Sequence, residues 1–139
     1  MLFCGAILDR APLSLQNCIP WDTLMIEHYE IELYVTKSGE TPFSKWLSEL
    51  KDLGARAKIR VRLDRLKLGN FGDCKVLGDG VSELKVNLGP GYRVYFGKSG
   101  RLCVLLLCAG SKKTQERDIE RAKEFWHDFV KRGKANAKK

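Results

Sequence analysis

Histidine is almost missing from this 139-residue chain: His28 and His127 are the only two, too few and too far apart to suggest metal ligation. No obvious pair of catalytic carboxylates is present, and no GxxxxGK[ST] phosphate loop interrupts the sequence. Cysteine is present but unorganised. Cys4, Cys18, Cys74, Cys103 and Cys108 make an odd number without CxxC spacing, several within or beside apolar runs. That pattern argues against a disulfide framework or a zinc site and for reduced thiols packed as small hydrophobes. The longest apolar run, 102–109, falls far short of the ~20 residues that span a bilayer, so no membrane segment is expected. The first 24 residues lack the basic start and unbroken apolar core of a secretory signal. A cytoplasmic protein without a metal site is the resulting expectation.

What the chain has in excess is positive charge. Twenty-five Lys and Arg stand against 17 Asp and Glu, a net of +8. The first 30 residues hold one cation, Arg10, against Asp9, Asp22, Glu27 and Glu30, so residues 31–139 carry +11. A body this basic points to a polyanionic partner, whether nucleic acid, an acidic protein or an anionic membrane surface, without deciding among them. At this length one domain is expected. Residues 1–24 show no sustained period and read as a loosely attached extension; the domain is expected over 25–132, followed by a basic tail at 133–139.

The periodicities then order the elements. Tyr29, Ile31, Leu33 and Val35 alternate with Glu30, Glu32 and Tyr34, predicting a half-buried strand. Thr41-Pro42 opens a helix carrying Phe43, Trp46, Leu47, Leu50 and Leu53 and ending near Gly54. Ala55, Ile59, Leu63 and Leu66 form a stripe in 55–68, although residues 58–63 also alternate like a strand; length favours a helix, with Arg56, Lys58, Arg60, Arg62, Arg65 and Lys67 as its basic flank. Glycines punctuate 69–80 around a short strand near Lys75 and Val76.

A hairpin follows. With Gly89–Gly91 as its loop, Leu88 faces Tyr92, Val86 faces Val94 and Leu84 faces Phe96 on the apolar side. On the polar side Asn87 then lies opposite Arg93 and Lys85 opposite Tyr95. A half-exposed Arg93 should be replaceable by Ala at no more than about 1 kcal/mol, and Glu83 and Asp118 read as surface or capping residues. The strand at 102–109 is apolar throughout, so it should be central, with helices covering the sheet. Ser111, Lys112 and Lys113 mark its exit. Thr114 is a plausible cap for a last helix whose core stripe is Ile119, Ala122, Trp126, Phe129 and Val130.

The stretches "RLKLGNFGDCKVLGDGVSELKVNLGPGYRVYF" (65–96) and "LLLCAGSKKTQERDIERAKEF" (105–125), in this order of elements, resemble the RelE/ParE superfamily of type II toxins. Within it they resemble the phage-derived, HigB-like branch of addiction module killer proteins. The resemblance covers roughly residues 26–130. It implies a small single-domain α+β fold, an antiparallel sheet flanked by an N-terminal helical hairpin and a C-terminal helix. It also implies neutralisation by a cognate antitoxin, usually a HigA-like helix-turn-helix protein, and ribosome-dependent cleavage of messenger RNA without a cofactor. Arg93 matches the family's central catalytic arginine, Lys85 falls near a lysine position of the preceding strand, and Lys112 or Lys113 matches the basic position after the penultimate strand. The branch commonly has arginine where Lys85 stands and aspartate where Ser111 stands, and the tyrosine that RelE uses near its last helix has no clear equivalent.

The chemistry of RNA cleavage suits these residues. Attack of a ribose 2′-hydroxyl on its phosphodiester builds negative charge on nonbridging oxygens, which preorganised cations stabilise. Arg93 would clamp that phosphate with its planar fork. Lys85 would act as base, with Tyr95 as a second candidate. Lys112 and Lys113 would assist the leaving 5′-oxygen or hold the backbone. Two alternatives stand beside this reading: a ParE-like inhibitor of DNA gyrase, which would work by binding protein and against which the basic constellation argues mildly, and a noncatalytic nucleic-acid-binding module in which the same cations contact phosphates and whose affinity would fall steeply with salt.

Overall fold

The computed structural model describes residues 28–137; the expected extension at 1–24 lies outside them. Among the described residues five strands and three α-helices follow one another as β1 (Glu30–Leu33), α1 (Pro42–Glu49), α2 (Leu53–Lys67), β2 (Cys74–Gly78), β3 (Val81–Val86), β4 (Tyr92–Ser99), β5 (Cys103–Ser111) and α3 (Gln115–Ala137). A 3-10 turn, Lys112–Thr114, joins β5 to α3. The fold is α+β, in three layers.

The sheet is mixed, where an antiparallel one was expected. Strand order is β1-β5-β4-β3-β2, and β2 through β5 form an antiparallel meander. β1 lies parallel to β5 at the far edge, Glu30 beside Cys103 and Leu33 beside Leu106. Alternating hydrophobicity carries no information about strand direction, and this pairing joins segments about 70 residues apart. The alternation also failed at the end of β1: Tyr34 is buried, whereas Leu33 and Val35 are exposed. Tyr34 turns under α3, where its hydroxyl donates to Asp128 at 2.6 Å and its ring stacks on Phe125. Burial and the Asp128 carboxylate push that phenol up to about 12.

The first helix stops at Glu49, short of Gly54. Asp52 then caps α2, its Oδ1 accepting from Ala55 N at 3.1 Å, so Gly54 lies in the first turn of the second helix. The stretch expected at 55–68 is helical through Lys67, as its length suggested; Ala55, Ile59 and Leu66 are buried. One member of the basic flank is structural. Arg62 donates to the carbonyls of Lys85 (2.6 Å) and Phe71 (3.2 Å), tying α2 to β3. α3 runs on to Ala137, through most of the stretch expected as a tail.

Two cores flank the sheet. On one face Leu84, Val86, Val94, Phe96, Val104 and Leu106 pack under α1 and α2. On the other, Val81, Tyr95, Leu105, Leu107 and Cys108 meet α3 through Ala122, Phe125 and Trp126. Cys74, Cys103 and Cys108 are free thiols, and burial pushes Cys108 up to about 12. No helix of the described residues is long and apolar enough to cross a membrane.

Trp126 determines how closely α3 approaches. Its ring lies over Gly97 of β4, where a Cβ would sit 2.3 Å from Cε3. Gly97→Ala therefore has to push the indole off the sheet, an overpacking cost of roughly 1–3 kcal/mol. Urea unfolding should show that loss with an unchanged slope; an unaltered midpoint would contradict the packing described.

Candidate functional site

The hairpin that carries Lys85 and Arg93 has a five-residue loop, Asn87–Gly91. Gly89 and Gly91 both take positive φ (57° and 81°), a conformation that glycine adopts freely, and Gly91 N donates to Leu88 O at 3.0 Å. The longer loop moves the register by two from the expected one. Lys85 faces Arg93, Glu83 faces Tyr95, Leu84 faces Val94 and Val86 faces Tyr92. Parity survives the shift: Arg93, Lys85, Glu83 and Tyr95 share a face. Their neighbours do not. Directly opposite residues place their Cβ atoms about 4.5–5.5 Å apart, so the two cations are brought together, and Asn87 lies outside the strand.

Lys112 and Lys113 join them through the backbone. Arg93 pairs with Gly110 and Tyr92 with Ser111 across β4 and β5, and Lys112 N donates to Gly91 O at 2.9 Å. The 3-10 turn is thereby held beside the hairpin loop, with Lys112 and Lys113 exposed. A shallow depression lined by Lys112, Lys113, Gln115 and Arg117 continues the surface along the first turn of α3. Four residues singled out from the sequence, Lys85, Arg93, Lys112 and Lys113, thus gather at one end of the sheet.

Arg93 is not the half-exposed residue that the pattern suggested. The start of α3 covers its face, leaving it 6% exposed. Its Nε lies 3.6 Å from Glu83 Oε1, both side chains being buried. Gln115 Nε2 donates to the other carboxylate oxygen, Oε2, at 3.0 Å. Arg93 Nη1 donates to Gly91 O at 3.4 Å. Glu83 and Asp118, expected at the surface, are 4% and 2% exposed. Asp118 Oδ2 accepts from the Thr114 hydroxyl at 2.5 Å, beside Gly110, where any Cβ would collide with that carboxylate. Thr114 thus bonds within the junction it was expected to cap.

Tyr95 is fully buried. Burial, followed by the Glu83 and Asp118 carboxylates, pushes its phenol well above the ordinary range. In this position it remains protonated at neutral pH and packs beneath the cationic end, away from solvent. Among the described residues no group of three or more His, Cys, Asp and Glu could hold a metal ion.

Glu83 and Gln115 are the members of the site that sequence reasoning missed. A signal existed. Val81, Glu83 and Lys85 share one parity, and a strand apolar on both faces, 102–109, requires that both faces of the sheet be covered; the acid on the second face therefore needed a buried partner.

The fold and site define a small three-layer α+β protein with a mixed five-stranded sheet and a cationic end built on a buried Glu–Arg pair. No family model matches the chain. A protein from Haemophilus influenzae described as uncharacterized is 52% identical over 81 residues, which span 58% of this chain and 82% of that relative. The chain belongs to the same family as that protein.

Breaking the Arg93–Glu83 pair from one side strands a buried charge. Arg93→Ala should lose roughly 3–5 kcal/mol, far more than a surface change. Replacing both residues with apolar ones of similar volume should recover most of the loss. A double-mutant cycle read by chemical denaturation measures the coupling, and additive losses would show that the two residues are independent.

Proposed function

We propose that this protein is a RelE/ParE-like, HigB-like toxin of a type II toxin–antitoxin pair, acting in the cytoplasm as a metal-independent endoribonuclease on messenger RNA bound to the ribosome. The observation that carries the reading is the convergence of Lys85, Arg93, Lys112 and Lys113 at one sheet end. A phosphodiester undergoing 2′-hydroxyl attack needs fixed donors where charge develops on its oxygens, and a buried, hydrogen-bonded arginine supplies them without reorganising.

Arg93 is the phosphate clamp. Of its three guanidinium nitrogens Nε is buried and unbonded and Nη1 bonds to Gly91 O; Nη2 makes no hydrogen bond among the described residues and is not fully enclosed. Lys85, half-buried and directly opposite Arg93, takes the 2′-hydroxyl proton as base on this reading. Lys112 and Lys113, exposed at the loop, hold the RNA backbone or donate toward the leaving 5′-oxygen. Tyr95 supports the clamp from behind. A cognate antitoxin, read as a HigA-like helix-turn-helix protein, would cover this end with acidic or amphipathic chain, since complementary charge speeds association and blocks the site.

Lys85→Ala tests the site without disturbing the core, because its side chain makes no hydrogen bond or ion pair among the described residues. Its stability should change by about 0.5 kcal/mol at most, and message cleavage should fall roughly 100-fold or more, the usual worth of a positioned base. Lys131→Ala, exposed near the end of α3, is the control. Primer extension on cellular messages after induction in a bacterial host reads the result. Cuts at codon boundaries that vanish in Lys85→Ala support the reading; intact messages with broken DNA would instead indicate gyrase poisoning.

A further inference from the structure

Glu83 lies 3.6 Å from Arg93 Nε and 3.0 Å from Gln115 Nε2, and all three side chains meet where α3 begins. A carboxylate this deeply buried requires cationic or hydrogen-bonded compensation for the hydration it has lost. The compensation is divided between two elements: Arg93 comes from β4 and Gln115 from the first residue of α3. The division has a geometric result. With its Nε edge drawn toward Glu83 and Nη1 tied to Gly91 O, the guanidinium plane is held at both ends, and Nη2 is left without a hydrogen bond among the described residues and not fully enclosed. Lys85, a like charge directly across the ladder, would otherwise repel Arg93; the Glu83 charge offsets that repulsion.

We infer that Glu83 and Gln115 are positioning residues, a carboxylate–amide pair that fixes the Arg93 guanidinium so that its Nη end is presented to an RNA phosphate. This rests on the reading of the cationic end as a phosphate-directed site. Neither residue touches the RNA. Both act through Arg93, just as a carboxylate behind a metal-bound histidine fixes the orientation of the ring. The alternative sign is physically distinct: if Glu83 were a latch that withdraws Arg93 from RNA, its removal would raise activity.

The test uses Glu83→Gln, close in shape and neutral, and Gln115→Ala, which removes the amide alone; Arg93→Lys assigns the arginine signal. In the full-length protein, the Arg93 Nε–H should give a sharp, slowly exchanging proton–nitrogen resonance that disappears in Arg93→Lys. Glu83→Gln should speed that exchange at least tenfold, and Gln115→Ala by a smaller factor, with the far-ultraviolet spectrum unchanged. Toward ribosome-bound message, Glu83→Gln should lower kcat roughly tenfold or more with KM within twofold, because the exposed lysines that gather RNA are untouched. Exchange at the wild-type rate in both variants overturns the inference, as does cleavage by Glu83→Gln at or above the wild-type rate. If Glu83→Gln fails to fold, Gln115→Ala carries the same two readouts. Absence of cleavage by the wild-type protein would remove the ribonuclease reading, while the exchange measurement would still decide whether Glu83 and Gln115 fix Arg93.

Discussion

Arg93 and Glu83 are enclosed between the sheet and the first turn of α3, and the local structure is arranged around keeping that pair matched. An isolated charge in such a place would cost several kcal/mol, and an ion pair there repays its lost hydration only when geometry and further hydrogen bonds are favourable. The Gln115 amide supplies one such bond and the Gly91 carbonyl another. Both come from segments whose positions are fixed by other means: α3 by Trp126 against Gly97, and the loop by the bond from Lys112 N to Gly91 O. Apolar residues of the same volume often serve stability about as well as a buried ion pair. Stability alone does not account for a Glu–Arg pair here.

The junction between β5 and α3 shows how closely the layers are coupled. Gly110 has no side chain because Asp118 and Thr114 occupy the space where one would be. The Thr114–Asp118 bond turns the chain from strand to helix within a few residues. That turn sets Gln115 over Glu83 and leaves Lys112 and Lys113 on the outside. A tight strand–helix connection thus produces both the buried acceptor network and the exposed cations. Just past the middle of α3 a second polar contact performs the same service: Asp128 receives the Tyr34 hydroxyl, pairs with Arg132, and is held below the usual carboxylate range mainly by that hydroxyl. Arg132 in turn donates to Val35 O at 2.7 Å. The helix is therefore anchored over the sheet by hydrogen bonds at its start and in its second half, and between them by apolar packing.

Much of this was legible in the residues. The spacing of Ala55, Ile59 and Leu66 foretold the helix they bury, and the unbroken run 102–109 foretold an interior strand covered on both sides. The parity of Arg93, Lys85 and Tyr95 was also correct, since alternation fixes which face a side chain takes. What alternation does not fix is register. A loop of three residues and a loop of five keep the same parity but exchange partners, and only the positive φ of both Gly89 and Gly91 selects the longer one. Strand direction was invisible for a similar reason, because β1 finds β5 through space, not through neighbouring sequence. Arg93 and Glu83 were read as exposed because a charged residue usually is. The exception was implied by the covering layers but identified by no single residue.

Burial of Arg93 separates two tasks that an exposed cation would combine. A side chain with 6% exposure offers little surface for collecting a polyanion, and its guanidinium is already partly neutralised by Glu83. Long-range attraction must therefore come from exposed charges, here Lys112, Lys113 and Arg117, and such attraction weakens with salt as counterions are no longer released to advantage. A fixed internal donor behaves differently. It is shielded from bulk ions, prepaid in orientation, and most effective when charge builds on an oxygen brought within its reach. On the proposed reading, ionic strength should act mainly on RNA capture and hardly at all on the step that Arg93 assists. On that reading the cationic end would be a two-part device: a salt-sensitive rim that gathers phosphate, and a buried arginine, paired with its carboxylate, that distinguishes the transition state from the ground state.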